Sequence, residues 1–138
     1  MLKRLVSLFF VILFSITLIG GTVWASDIST YDISGHEKTS ILSISNKTAT
    51  CKSTYRSSGN NIESITIVQT LEKNSWFIFW GTIGDECTKT VYNTGDVSFI
   101  NYKYNLDSGT YRVKSVFTVK LKDGRTETIT VYSSEHIV

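Results

Sequence analysis

From residue 39 onward, polar and apolar positions alternate in short runs broken by turn-forming residues. In "TATCKSTYR" (48–56), Ala49, Cys51, Ser53 and Tyr55 fall on one face, and Thr50, Lys52, Thr54 and Arg56 on the other. Similar strands are expected at 41–45, at 62–71 with Ile65, Ile67 and Leu71 on one face, at 76–80, at 97–104, and as a terminal hairpin of 110–121 with 125–132. Residues 81–96 read as a loop holding one short strand near 88–92, and turns are expected at 46–47, 57–61, 72–75 and 105–109. Six to eight short strands at this spacing predict an all-β, two-sheet antiparallel sandwich.

The terminal hairpin allows a register argument. A two-residue turn at Asp123–Gly124 would scatter its apolar residues over both faces. A three-residue loop, 122–124, instead opposes Leu121 to Arg125. Val113, Phe117 and Val119 then share a face with Ile129 and Val131, while Lys114, Lys120, Thr126, Thr128 and Thr130 line the other. One residue of slip flips every side chain, so the second register is expected.

The run "WFIFW" (76–80) does not alternate in polarity. As a strand it places Trp76, Ile78 and Trp80 on one face and Phe77 and Phe79 on the other. The trio makes the larger core face, which leaves Phe77 and Phe79 pointing outward. Either another part of the chain covers them or they form an aromatic docking patch, with Tyr102, Tyr104 or Tyr132 as neighbours.

The first 25 residues follow a different rule. Lys3 and Arg4 precede an uncharged apolar run at 5–19, Gly20–Gly21 break it, and a Val-x-Ala ending closes at Ala25. This is the layout of an export signal helix, with cleavage expected after Ala25. Uncleaved, 5–25 is long enough to serve as a membrane anchor. The organisation expected is a signal peptide at 1–25, a polar flexible arm at 26–38 and a β-sandwich domain at 39–138. The protein is expected to be secreted or extracellular, or tethered if the helix is retained.

Removing the signal changes the charge. The chain holds 14 Lys and Arg against 12 Asp and Glu, and the signal carries two of the cations and none of the anions. The exported part is therefore neutral. It lacks the basic footprint of a nucleic-acid binder, and the Lys/Arg cluster that would hold it electrostatically to anionic lipid. Neither nucleic acid nor, after signal cleavage, a membrane is expected as a partner. Its two cysteines, Cys51 and Cys87, are expected to close a structural disulfide in an oxidising compartment, the alternative being two free buried thiols.

"LDSGTYRV" (106–113) resembles the segment that enters strand F of immunoglobulin-like domains, with Asp107, Gly109 and Tyr111 in the tyrosine-corner positions. The second cysteine of that pattern is replaced by Val113, so the resemblance implies a generic immunoglobulin-like sandwich. Across 41–134 the chain is also similar to small exported Firmicutes domains of unknown function, through "ATCKS" (49–53), "QTLEKNSW" (69–76), "SGTYRVKS" (108–115) and "ETITVYSS" (127–134). Those motifs are strands and turns. They imply export and fold, and they transfer no catalytic residue.

Catalytic chemistry is sparse. The two histidines, His36 and His136, lie near the ends of the exported part, where a triad would lack rigid support. Glu63, Glu72 and Glu127 fall at strand edges with nothing to pair them as a glycosidase couple. Asp85, Glu86 and Asp96 make one loop acidic without calcium-loop spacing. No catalytic residue, metal site or cofactor is expected. The sequence points to a secreted, non-enzymatic binding or interaction module for an extracellular protein or polysaccharide. The alternatives are an accessory cell-envelope protein without its own ligand, or a small secreted hydrolase.

Overall fold

The computed structural model describes residues 37–138. The expected signal at 1–25, most of the expected arm and His36 lie outside the described residues. The described chain is all-β and holds nine strands: β1 (Glu37–Ser45), β2 (Thr48–Arg56), β3 (Ile62–Ser75), β4 (Phe79–Thr82), β5 (Cys87–Tyr92), β6 (Asp96–Lys103), β7 (Thr110–Leu121), β8 (Thr126–Tyr132) and β9 (His136–Ile137). They form two antiparallel sheets. One has the order β1-β2-β6; the other has the order β4-β3-β7-β8, with β5 also on β3 and β9 also on β7. β1 begins earlier than expected, with Glu37 and Lys38 already paired with Arg56 and Tyr55, and the strand expected at 76–80 is displaced to 79–82 as β4.

The alternation read from the sequence decides the core. Ala49, Cys51, Ser53 and Tyr55 of β2 are buried, as are Ile65, Ile67 and Leu71 of β3. The terminal hairpin takes the three-residue loop: Leu121 N donates to Arg125 O at 2.9 Å, and Phe117 pairs with Ile129. Gly124, at φ 89°, supplies the left-handed residue of that loop.

Two apolar clusters fill the space between the sheets. One joins Tyr55 and Val97 to Ile65, Ile67, Phe117 and Val119. The other joins Leu42, Ala49 and Cys51 to Leu71, Leu106, Tyr111 and Val113. Each fully buried large side chain contributes roughly 1.5–3 kcal/mol. A polar belt also joins the sheets. Ser40 Oγ and Ser53 Oγ both lie within hydrogen-bond reach of Ser115 Oγ, at 2.8 and 2.7 Å. Gln69 Nε2 donates to Ser53 Oγ at 2.7 Å, and Asn101 Nδ2 donates to Gln69 Oε1 at 2.8 Å. Satisfied in this way, buried hydroxyls and amides avoid the desolvation penalty of unpaired polar groups.

The expected disulfide is corrected: Cys51 and Cys87 are free thiols. The two thiols sit in opposite sheets at one level of the sandwich, and Cys87 lies near enough to act electrostatically on Cys51. Cys51 pairs with Asn101 in one sheet and Cys87 pairs with Gln69 in the other. At this level the Asn101–Gln69 amide pair crosses between the sheets. Burial pushes the Cys51 thiol up to about 11, against a smaller opposing pull from the Lys103 ammonium. At the Leu106–Tyr111 connection, Tyr111 Oη donates to Asp107 O at 2.7 Å, which ties the start of β7 to its own upstream backbone.

Candidate functional site

The β3–β4 hairpin carries the site. Pairing runs through Glu72–Thr82, Lys73–Gly81, Asn74–Trp80 and Ser75–Phe79, so residues 76–78 are the loop. Trp76 and Phe77 have φ of 58° and 65°. Two successive left-handed residues are typical of tight hairpin turns, where Asn and Gly are favoured because a bulky side chain raises the cost. The two-residue β1–β2 turn, whose residues are also both left-handed, obeys the preference at its first position, with Asn46 followed by Lys47. The aromatic turn breaks it twice.

The core trio expected of Trp76, Ile78 and Trp80 is therefore overturned. Trp76, Phe77, Ile78 and Phe79 are 88, 97, 74 and 64 % exposed, and Trp80 alone is half-buried. The expected turn at 72–75 lies wholly before the observed loop at 76–78. Lys73, Asn74 and Ser75 look like turn residues, yet each has a place in the ladder. Lys73 pairs with Tyr111 on β7, and its ammonium lies 5.5 Å from the Tyr111 ring centre. Asn74 Nδ2 donates to Phe77 O at 3.4 Å, closing the loop from below.

The base of the hairpin is clamped on the outer face of the larger sheet. The Arg112 guanidinium lies 4.0 Å from the Trp80 ring and 4.2 Å from the Tyr132 ring. Arg112 Nε donates to Glu72 Oε2 at 2.7 Å, with both side chains largely shielded. This stack spans β4, β3, β7 and β8 and fixes the direction in which the tip projects. Beside the tip lies a shallow cleft of about 420 Å³ between the aromatic wall of Trp76 and Trp80 and the polar groups of Asn74, Thr110 and Glu135.

The other sequence candidates divide. Phe77 and Phe79 are exposed on the tip. Tyr102 and Tyr104 stack on each other at 6.4 Å and are exposed, but they belong to β6 and its exit in the opposite sheet. Tyr132 joins Trp80 through Arg112. Glu72 is committed to Arg112, and Glu63 accepts from Lys120 at 2.8 Å. His136 is held in β9 against Tyr111, where the sequence suggested a loose end. Among the described residues no group of three metal-binding side chains converges. The clamp residue Arg112 escaped sequence reasoning because its partners come from three other strands. Comparison with protein families, with characterised proteins and with solved structures finds no match to this chain.

Proposed function

We propose that this chain is an exported, non-enzymatic binding module, an immunoglobulin-like sandwich of the small Firmicutes type whose docking element is the β3–β4 hairpin tip. The observation that carries the reading is four consecutive large apolar side chains left in solvent on a turn that disfavours two of them. Soluble proteins rarely leave such groups bare without a use, and backbone strain gathers at binding elements. The immunoglobulin-like assignment is supported by the strand order, in which the chain changes sheets between β2 and β3, β5 and β6, and β6 and β7. It is supported as well by the Tyr111 corner bond.

The test is capture of the exported protein on envelope polysaccharide, on secreted proteins and on lipid, with a Phe77→Ser/Phe79→Ser variant alongside. The reading expects one of these to retain the parent and lose the variant while the variant's circular dichroism is unchanged. Equal capture of both proteins on every phase sinks it.

A further inference from the structure

The tip is one part of a larger pattern. Seven large apolar side chains are the most exposed in the described chain: the four of the tip, Tyr92, Tyr104 at 67 % and Ile137 at 83 %. The register places six of the seven at one end of the sandwich. β3 ends and β4 begins there; Thr110, at the start of β7, pairs with Ile137. The connection from β6 to β7 brings Tyr104 to that end, and Leu106 N in the same connection donates to Lys47 O in the β1–β2 turn. Tyr92 pairs with Ser64 near the start of β3, at the opposite end.

We infer that this end docks on a lipid bilayer, seating the Trp76–Phe79 tip at the headgroup–acyl boundary. The inference rests on the hairpin tip being the binding element. Three features select a bilayer over a protein. The apolar groups stand on separate strand ends and loops, not on one sheet face. A fluid plane accepts such points without a matching contour, whereas a protein partner needs complementary shape. Their chemistry, tryptophan and tyrosine beside phenylalanine and isoleucine, is that of side chains that settle at membrane interfaces.

Charge completes the argument. Lys47, Lys73 and Lys103 at this end are set against Asp107 and Glu135, so no cluster of cations forms there. Attachment therefore comes from apolar partition and not from anionic lipid, which is why the charge count did not reveal it. Insertion is shallow, because turn carbonyls need the water of the headgroup layer. No described helix is long and apolar enough to cross a membrane.

The test uses the full chain with Trp24→Phe and Trp80→Phe, so that Trp76 is the sole tryptophan. It is mixed with phosphatidylcholine vesicles, plain or with brominated acyl chains. The expected result is a blue shift of Trp76 emission, quenching by the brominated lipid and protection from acrylamide. An equal mixture with phosphatidylglycerol should give the same result, with little dependence on salt. Because an apolar leader would itself hold the chain on vesicles, the readout is the depth of Trp76, not co-sedimentation. Replacing Phe77 and Ile78 by Ser should reduce the partition constant, read from a lipid titration of Trp76 emission, at least about a hundredfold. Emission that stays water-like and unquenched by bromine overturns the inference. If Trp76 is then shielded by envelope polysaccharide or a secreted protein, the binding-module reading survives and the lipid inference falls. If nothing shields it, both fall.

Discussion

Arg112→Ala should destabilise the domain by about 3 kcal/mol, far more than a surface ion pair would suggest. The Glu72 carboxylate lies on the outer face of a sheet, yet its side chain is only 10 % accessible, because Arg112 and its aromatic neighbours cover it. Removing one partner of a buried pair costs about 3–5 kcal/mol, since the other charge stays desolvated and unmatched. Side-chain relaxation and water entry at this outer face lower that figure. Loss of the two guanidinium–ring contacts, at 4.0 and 4.2 Å, adds about 0.5–1 kcal/mol each. Arg112→Lys keeps the charge but not the planar stack, and should cost about half as much. Urea denaturation measures both, and the midpoint should fall with little change in slope. On heating, Arg112→Ala should lower Tm by roughly 10–20 °C for a domain of this size. Adding Glu72→Gln to Arg112→Ala should recover part of the loss by removing the orphaned charge. A cost for Arg112→Ala below about 1 kcal/mol, the range of exposed pairs, would refute the claim that the clamp is desolvated.

Other consequences are equally specific. Gln69→Ala should cost about 2–4 kcal/mol in the same assay, because it leaves a gap and strips Ser53 and Asn101 of their shared partner. Thiol titration of the protein, prepared without reductant and then denatured in the presence of a thiol reagent, should count two free thiols; none would restore the disulfide. In the native protein Cys87 should be modified well before Cys51. Cys51 titrates higher folded than unfolded, so its neutral form contributes its stability below about pH 9, and that contribution declines as pH rises towards about 11; a Cys51→Ala chain should lose less stability across that window. Phe77→Ser/Ile78→Ser should leave the unfolding free energy within about 0.5 kcal/mol of the parent, since neither side chain packs on the core.

Much of the fold was legible because a half-buried strand writes its burial into a period of two. Residues 48–56 and 110–121 emerged as strands with the bounds the structure gives, and Gly124 fixed the register of the last hairpin. The β3–β4 hairpin was misplaced for a physical reason. Turn statistics describe local preference, whereas pairing with β7 carries β3 on through Lys73 and pairing with β4 carries it to Ser75. Polar residues were drawn into the ladder and aromatic residues left at the tip. The cysteine pair differs from expectation because spacing along the chain carries no information on the bonding geometry of the two sulfurs. Tyr102 and Tyr104 share a strand period with each other, but they belong to the other sheet from Phe77. The clamp of Trp80, Arg112, Tyr132 and Glu72 has no sequence period, because four strands supply it.

The central claim is that the aromatic run forms an exposed turn rather than a core strand. Acrylamide quenching of the Trp24→Phe/Trp80→Phe chain, free of lipid and partner, tests it directly. Trp76, at 88 % exposure, should emit as indole does in water and be quenched nearly as readily as a small indole compound. A blue-shifted emission with strong protection, as a tryptophan on the core face of a strand would show, would contradict the account.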